Sequence, residues 1–384
     1  MRIGITTFGG DGGKSGISQY IIKLLEEFAN IGRRHDIEVI VYRDEKAIFI
    51  PPSADFAALL YEVHLRTPVV NIAWHQVSLP RLCRERAYDV LFLPAGNRRL
   101  PVHVGCPTVG TVHDFSSIHV SGKYDAGRMF YIRHVLPFLI RRLSHVITVS
   151  ESSCRDIVEY AGVAQRRVSI IPLGVDHKTF HPRDKAECAR QMAQKYGFQP
   201  PYILYISRIE HPGKNHARLI EAFSRLKAKA AVPHQLVLAG SDWTRAEDVH
   251  KAAAASACAK DIVFTGFVPG ADLPTFYGGA ELFVFPSLYE GFGLPLLEAM
   301  VCGAPVACSN LSSMPEVAGD AGVLFDPYDE DDMARAMERV LLDPPFRENL
   351  VQLGLERARR YTWASTARKT LEVIEQTVAR ARAA

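Results

Sequence analysis

Two glutamates bracket a glycine-rich stretch in the second half of the chain. Glu290 and Glu298 flank two glycines and a proline within PSLYEGFGLPLLEAM, residues 286–300. The apolar run LFVFP before the loop predicts a buried strand, and PLLEAMVCG predicts a helix that begins at Pro295 and ends near Gly303. Such a loop suits an anion, because its N–H groups and the helix dipole point at the bound charge. Carboxylates beside an anion site indicate a ligand that carries hydroxyl groups as well as phosphates.

Two cations lie on a loop before another predicted helix. Arg208 and Lys214 stand in SRIEHPGKN, which follows the predicted strand YILYI and precedes the helical pattern HARLIEAFSRLKA. Asn215 is the predicted N-cap of that helix. Two positive charges at a helix N-terminus suit the binding of a diphosphate. The alternative is that both are solvated surface charges without a ligand.

Two further candidate sites lie in the first half of the chain. FGGDGGKSG follows the first predicted strand and resembles two known phosphate-binding motifs imperfectly. Phe8 stands where a Walker A loop has its first glycine, and Ser15 stands where a dinucleotide fingerprint has its last Gly or Ala. Gly12 and Gly13 therefore predict either a backbone nest for phosphate or sugar oxygens, or a plain turn before a helix. His113, in TVHD, also follows a predicted strand, although a lone histidine is often structural.

Short apolar strands alternate with helical patterns along the chain, which is typical of βαβ units and parallel sheets. The 384 residues are too many for one typical core. We therefore predict an α/β protein with two doubly wound, Rossmann-like domains facing a cleft, with ligands beyond the carboxyl ends of the strands. The predicted limits are 1–175 for the first domain, 176–200 for a linker, 201–361 for the second domain and 362–384 for a C-terminal helix packing back on the first.

The composition is ordinary for a globular protein, with 48% hydrophobic and 23% charged residues. No apolar run reaches the roughly 18 residues that a membrane-spanning helix needs, and MRIGITTFGG predicts a strand and a glycine loop rather than a signal peptide. The seven cysteines form no C-x-x-C pair, which favours reduced thiols in the cytoplasm over disulfides or a metal site. A net charge of +3 is too small to indicate a nucleic-acid partner.

The motifs SRIEHPGKN, TGFVPGADLPTFYGGAELFVFPSLYEGFGLPLLEAM and TVHD together resemble the retaining nucleotide-sugar glycosyltransferases of glycosyltransferase family 4, which have the GT-B fold. The resemblance covers nearly the whole chain and is strongest over residues 202–326. Seven residues between Glu290 and Glu298 are the hallmark spacing of that family. The resemblance implies transfer of a sugar from a nucleotide-diphosphate sugar, without an obligatory metal or other cofactor. One departure is GGDGGKSGISQY, which lacks the histidine of the GG-x-x-x-H loop in many relatives.

The resemblance also implies residue roles. Arg208 and Lys214 would bind the donor diphosphate and neutralise the leaving group. Glu290 would contact the hydroxyls of the donor sugar, Glu298 those of the ribose, and His113 the donor sugar. The catalytic set is Glu290, His113, Arg208 and Lys214. The further donor-binding positions are Gly12, Gly13, Phe267, Val268, Gly291, Phe292, Gly293 and Leu294, where the main chain near Phe267 and Val268 would meet the base.

More than one donor and more than one reaction fit these motifs. The stretch from VHDFSSIHV to ITVSESS resembles bacterial polysaccharide and O-antigen mannosyltransferases, which favours GDP-mannose as donor, with UDP-hexoses next. Other enzymes of the same architecture, such as a sugar-nucleotide epimerase or a phosphorylase, and a non-catalytic nucleotide- or glycan-binding subunit, are the rival predictions. A Walker-type kinase is disfavoured by the short loop. A glycosidase is disfavoured because these acids border an anion site rather than a glycosidic bond.

A basic segment suggests where the acceptor comes from. Residues 127–147, GRMFYIRHVLPFLIRRLSHVI, combine four arginines with large apolar residues and contain no acid. The pattern predicts either a helix on the cytoplasmic face of a membrane, delivering a lipid-linked acceptor, or a core helix interrupted by Pro137. The predicted location is therefore the cytoplasm, with peripheral membrane contact as one outcome and a soluble glycan acceptor as the other.

Overall fold

The computed structural model describes residues 1–13, 15–31, 34–120 and 126–383. Within them the chain forms two compact units. The first unit holds most of the chain before Gly174 together with the C-terminal segment from Trp363, and the second holds Val175–Thr362. Both are built on parallel sheets covered by helices, so the predicted α/β class with two Rossmann-like domains is confirmed.

The first unit is built on a seven-stranded parallel sheet of strand order β3-β2-β1-β4-β5-β6-β7. Its central strands are buried along almost their whole length, as expected where helices cover both faces. The strands are β1 Arg2–Thr6, β2 Asp36–Tyr42, β3 Ala57–Tyr61, β4 Val90–Leu93, β5 Thr108–Thr111, β6 His145–Thr148 and β7 Val168–Ile170. The helices are α1 Gly16–Asn30, α2 Lys46–Phe49, α3 Pro68–Glu85, α4 Ser116–His119, α5 Ala126–Phe130, α6 Leu136–Arg142 and α7 Glu151–Ala161. A π-helical turn, Tyr131–Val135, joins α5 to α6.

The second unit is built on a six-stranded parallel sheet of order β10-β9-β8-β11-β12-β13. Its strands are β8 Tyr202–Ile206, β9 Gln235–Ala239, β10 Ile262–Gly266, β11 Leu282–Phe285, β12 Val306–Ser309 and β13 Gly322–Phe325. Its helices are α8 Lys185–Tyr196, α9 His216–Lys229, α10 Ala246–Ala255, α11 Leu273–Gly279, α12 Leu294–Val301, α13 Met314–Ala318, α14 Glu330–Leu342 and α15 Pro344–Ala358. The strand order reverses between β8 and β11, which marks the ligand crevice of an open α/β sheet.

Two segments at the limits of the predicted domains form helices that pack on one of the units. Residues 176–200, predicted as a linker, contain α8, which packs against α11 as part of the second unit. The last helix, α16 Trp363–Ala383, returns to the first unit and packs against α1 and the strands β4, β5 and β6. In the described part of the chain, no helix is both long and apolar enough to cross a membrane.

Candidate active site

The central feature of the second unit is an ion pair at the point where its strand order reverses. Lys214 lies on the loop after β8, and Glu290 lies on the loop after β11, the neighbouring strand. The Lys214 ammonium donates to Glu290 Oε1 over 2.6 Å, and both side chains are largely shielded from water. Parallel strands bring their carboxyl ends to one edge of the sheet, so the two predicted motifs meet because β8 and β11 are adjacent.

The loop that carries Lys214 is held by its neighbours. The hydroxyl of buried Tyr205, on β8, donates to the Lys214 carbonyl over 2.8 Å. Asn215 Nδ2 donates to the carbonyls of Pro286 (3.1 Å) and Pro327 (2.8 Å), which follow β11 and β13. Asn215 is the N-cap residue of α9, as predicted, but its side chain makes no capping hydrogen bond. Its backbone is left-handed, with φ of +61°, and its amide instead ties three loops together.

The charge of Lys214 is stabilised by its partner. Burial alone lowers the pKa of this lysine, but the carboxylate of Glu290 outweighs that effect and raises the pKa above its usual value. The side chain therefore remains an ammonium at neutral pH. An ammonium has three donors, and the ion pair uses one of them.

Two serine hydroxyls bind carbonyls of the glycine loop before α12. Ser313 Oγ lies 2.9 Å from the Glu290 carbonyl and 2.8 Å from the Phe292 carbonyl, and the Ser312 hydroxyl also donates to the Glu290 carbonyl. Gly293, with φ of +95°, directly precedes the helix and adopts a conformation that favours glycine. The first turn of a helix has N–H groups without intrahelical acceptors. A glycine loop leading into a helix start is the arrangement of an anion site. The other two predicted donor-binding residues of this loop, Gly291 and Leu294, lie on either side of Phe292 and Gly293.

The second glutamate of the motif has a different environment. Glu298, on α12, accepts a 3.0 Å hydrogen bond from the hydroxyl of Tyr277, a buried residue of α11. Burial raises the pKa of Glu298 to about 7, although the Tyr277 hydrogen bond opposes the shift. The two glutamates are therefore distinct: Glu290 is paired with a cation, whereas Glu298 is poised between its neutral and charged forms near neutral pH.

Arg208 follows β8 but does not share the Lys214–Glu290 pair. Its guanidinium lies over the ring of Trp243, with Cζ 4.9 Å from the ring centroid, and 3.5 Å from Glu210 Oε2. About half of the arginine side chain is exposed. The structure therefore places a partly exposed cation on the same loop as Lys214, at the carboxyl end of the same strand.

The two predicted base-binding residues follow β10, at the outer side of the same sheet edge. Phe267 is largely exposed and Val268 is buried. Gly266, the last residue of β10, precedes them and has a φ of +69°. Both residues lie on the carboxyl side of the sheet that carries Arg208 and Lys214.

The glycine turn of the first unit follows β1. Gly12 and Gly13 both have positive φ, +68° and +87°, which explains the choice of glycine there. Asp11 Oδ1 accepts from the Ser18 hydroxyl (2.6 Å) and the Ser15 backbone N–H (2.9 Å). Burial raises the pKa of Asp11, but these hydrogen bonds outweigh it and lower the pKa below its usual value. The charged carboxylate of Asp11 therefore holds the glycine turn to the start of α1 through Ser15 and Ser18.

His113 lies just beyond β5 and is buried. Its Nε2 lies 3.0 Å from the carbonyl of Pro94, which can only accept, so Nε2 carries the hydrogen. The backbone N–H of His113 donates to Asn97 Oδ1, and the ring meets the edge of Tyr20 at 4.7 Å. Burial lowers the pKa of His113, so the imidazole is neutral at physiological pH. This residue can accept a hydrogen bond at Nδ1 but is not a cation.

Several residues of the site were missed by the sequence analysis. Ser312 and Ser313 follow β12, Trp243 follows β9, and Tyr277 belongs to α11. The first three stand after strands, which is the signal that could have found them. Across the described ranges, no three His, Cys, Asp or Glu side chains gather in a way that could hold a metal ion.

Comparison with known proteins identifies the family. The sequence matches the family models described as Glycosyltransferase Family 4, over residues 14–179, and Glycosyl transferases group 1, over residues 190–357. The O-antigen chain mannosyltransferase B of Escherichia coli is 34% identical over 264 residues, covering 68% of both chains. The serotype-specific mannosyltransferase WbdA of Escherichia coli is 35% identical over 339 residues, covering 86% of this chain and 41% of that longer protein.

Solved structures show the same fold. Sucrose-phosphate synthase from Thermosynechococcus elongatus superposes with a TM-score of 0.77 at 20% identity, covering 99% of each chain. Anabaena HepE, solved in complex with UDP and glucose, gives a TM-score of 0.76 at 18% identity, covering 98% of this chain and 100% of that one. The family matches, the related mannosyltransferases and this shared fold lead to one conclusion: the chain belongs to the family 4 glycosyltransferases of the GT-B fold.

Proposed function

We propose that this protein transfers a mannosyl group from GDP-mannose to a glycan acceptor during bacterial polysaccharide assembly, with retention of the anomeric configuration. The observation that carries the proposal is the 2.6 Å pair between Lys214 and Glu290, set beside the glycine loop where the strand order reverses. The names of the related Escherichia coli proteins, both mannosyltransferases, support the choice of sugar.

The reaction breaks the bond between the anomeric carbon and the diphosphate oxygen, and the electron pair leaves with the diphosphate. An acceptor hydroxyl oxygen forms the new bond to the anomeric carbon, and its proton passes to the departing diphosphate. Negative charge therefore grows on the leaving group, and fixed cations and N–H dipoles aimed at that charge lower the barrier. Lys214, Arg208 and the N–H groups at the start of α12 supply these charges and dipoles.

Each carboxylate binds the hydroxyl groups of one of the two sugars of the donor. Glu290 uses Oε1 for Lys214, which leaves Oε2 to accept from hydroxyls of the transferred sugar. Glu298 accepts from the ribose hydroxyls, and Phe267 and Val268 face the base. In the first unit, the turn at Gly12 and Gly13 is suited to bind phosphate or sugar oxygens, and the neutral imidazole of His113 can accept a hydrogen bond at Nδ1.

The proposed reaction uses no metal ion, because Lys214 and Arg208 neutralise the diphosphate. We expect activity to survive EDTA with little change. Loss of activity in EDTA that Mn²⁺ or Mg²⁺ restores would contradict this part of the proposal.

Ligand binding tests the donor first. Melting temperatures measured with GDP, UDP, ADP and TDP should rise most with GDP, since a ligand at 100 times its Kd stabilises the fold by about 2.7 kcal/mol. The product formed from GDP-mannose and a mannose-terminated oligosaccharide should then be an α-mannoside by NMR. Stabilisation by UDP alone would replace the donor with a UDP-hexose. A β-linked product would exclude retention.

Rival activities give different results in the same assays. An epimerase or phosphorylase would convert the donor without a glycan acceptor. A binding subunit would be stabilised by nucleotide but would show no turnover with any acceptor. The Lys214→Met variant, which keeps the alkyl stem but removes the charge, is the control for catalysis by this site.

A further inference from the structure

Trp243 is an unusual residue at the edge of the second sheet. The chain has three tryptophans, and the other two, Trp74 and Trp363, are buried in the first unit. Trp243 has 57% of its surface exposed. Exposure of a single aromatic residue is common at protein surfaces, so its contacts decide whether Trp243 has a role.

Backbone pairing fixes Trp243 beside Arg208. Beyond the ends of β8 and β9, the N–H of Ile209 donates to the Ser241 carbonyl, and the N–H of Trp243 donates to the Ile209 carbonyl, both over 2.9 Å. The approach is so close that a Cβ on Gly240 would lie 1.9 Å from the Ser207 carbonyl oxygen. The loop after β9 is therefore held against the loop that carries the predicted diphosphate ligands.

The guanidinium of Arg208 is held on two sides. One face lies over the Trp243 ring, with Cζ 4.9 Å from the centroid. One edge lies 3.5 Å from Oε2 of Glu210, whose side chain is buried. A guanidinium has five N–H donors in a rigid fork. Stacking on an aromatic face uses none of them, so the remaining N–H groups stay available for phosphate oxygens.

We propose that Trp243 is a positioning residue for Arg208: its indole holds the guanidinium at the carboxyl edge of the sheet, ready for the diphosphate of the nucleotide-sugar donor. The inference rests on the proposed function, in which Arg208 binds that diphosphate. An arginine without the ring would sample many rotamers in water and would lose that freedom on binding. The stacked arginine has already lost part of it, so the donor binds more tightly.

A double-mutant cycle tests this role directly. GDP would be titrated into the wild type, Trp243→Phe, Trp243→Leu, Arg208→Ala and the double variant Arg208→Ala/Trp243→Leu. Trp243→Leu should weaken GDP binding roughly 3- to 30-fold, the range expected for an aromatic–cation contact. Trp243→Phe should lose less, because phenylalanine retains an aromatic face. In the Arg208→Ala background, Trp243→Leu should have no further effect, because nothing remains to be positioned.

A matched control is the contact between Arg339 and Phe346, where Cζ lies 3.9 Å from the ring centroid in the same unit. These residues belong to α14 and α15, which carry none of the predicted donor-binding residues. Phe346→Leu should leave GDP affinity unchanged. A loss equal to that of Trp243→Leu would overturn the inference by showing a general effect on the fold.

Fluorescence gives a second readout. Binding of GDP should change the emission of Trp243, since it brings the negative diphosphate against the guanidinium stacked on the indole, and the change should vanish in Trp243→Phe. Equal weakening by Trp243→Leu with and without Arg208 would overturn the inference while leaving the proposed function intact. A wild-type protein that bound neither GDP nor UDP would overturn the proposed function and the inference with it.

Discussion

The Lys214–Glu290 pair places opposite charges where a diphosphate is proposed to bind. A lone cation would attract any anion, whereas a cation paired with a carboxylate presents both a charge and a hydrogen-bond acceptor within 2.6 Å. A nucleotide-sugar needs both, because its phosphates are negative and its sugar hydroxyls are donors. Removing only one partner leaves the other charge partly buried and uncompensated, which is costly.

We expect Lys214→Met to lower kcat/KM for the donor by about 10²–10³, the usual cost of removing one group that stabilises transition-state charge. Arg208→Ala should lower it by more than about tenfold. Steady-state kinetics with saturating acceptor would measure both effects. Full activity in the two variants would show that the diphosphate binds elsewhere.

The raised pKa of Glu298 predicts a pH dependence of donor binding. The side chain is protonated below about pH 7 and becomes a full hydrogen-bond acceptor above it. Affinity for GDP-mannose should therefore rise between about pH 6 and about pH 8. GDP-mannose is the correct ligand for this titration, because its diphosphate carries no terminal phosphate that titrates near neutrality. Glu298→Gln should bind more weakly and lose the pH dependence.

Tyr277 gives the matched control for that titration. Its hydroxyl lowers the pKa of Glu298 by donating to the carboxylate, so Tyr277→Phe should move the midpoint of donor binding to higher pH.

The raised pKa of Glu298 also affects the stability of the fold. The protonated form of Glu298 favours the fold, and this contribution is full below the usual pKa of glutamate and is lost as pH rises through about 7. An affinity for GDP-mannose that did not change between about pH 6 and about pH 8 in the wild type would contradict the assignment of Glu298 to donor binding.

At the scale of secondary structure, a helix in the first unit shows two different faces. The segment α5, the π-helical turn and α6 form one helical run, in which the interruption predicted at Pro137 is a π-helical turn just before it rather than a break. Pro137 is tolerated because it is the second residue of α6, next to a π-helical turn in which the Leu136 N–H already bonds to the Tyr131 carbonyl. Leu139 and Ile140 pack into the core.

The other face of the same run exposes aromatic and cationic residues. Phe130 and Phe138 have 62% and 47% of their surface exposed, and Arg142 lies over the Phe138 ring with Cζ 5.4 Å from its centroid. Arg133 and Arg141 are also exposed, and no acid occurs from residue 126 to residue 147. The two predictions for this segment therefore apply to different faces: one packs in the core, and the other is suited to an anionic lipid surface.

We propose that this exposed face contacts anionic membranes, where a lipid-linked acceptor would be found. Phe130→Ser/Phe138→Ser and Arg141→Gln/Arg142→Gln should each reduce co-sedimentation with anionic vesicles, since each arginine near such a surface contributes about 1 kcal/mol. High salt should have a similar effect. Val69 and Val77 on α3, with 76% and 71% exposed, provide a control pair, and Val69→Ser/Val77→Ser should bind normally. Equal binding to neutral and anionic vesicles would exclude the proposal.

The elements of the site were predictable from the sequence because their signals are local. A strand, a glycine turn and a helix start lie within 15 consecutive residues around Glu290, and the same holds for the loop of Lys214. The contacts between distant segments were not predictable. Ser313 binds carbonyls 21 and 23 residues away, and Trp243 meets Arg208 only because β8 pairs with β9. The amide contacts of Asn215 were not predictable for the same reason, since its partners follow two other strands.

At the scale of the whole molecule, the first unit is assembled from segments far apart in sequence. The chain leaves this unit near Gly174 and returns to it at Trp363. The returning helix α16 buries Trp363, Leu371, Ile374 and Val378 at helical spacing. The Thr366 hydroxyl donates to the Pro172 carbonyl over 2.8 Å and ties the helix to the end of the unit's own N-terminal part. The first unit therefore lacks a part of its core until α16 has been made.

Ile374 provides the test of that dependence. It is fully buried on α16, which packs on α1 and on β4, β5 and β6. Ile374→Ala should lower the free energy of unfolding of the first unit by about 2–5 kcal/mol, the cost of a cavity in a packed core. Hydrogen exchange should accelerate in peptides from α1 and β5 but not in peptides from β8 and β11. Gln376→Ala, at an exposed position two residues along the helix, should change neither the stability nor the exchange.

Deleting residues 363–383 should have a larger effect of the same pattern, because it removes the whole apolar face of the helix. Uniform acceleration in both units would show that the helix stabilises the chain as a whole, and unchanged exchange would show that α16 is dispensable to the core it covers.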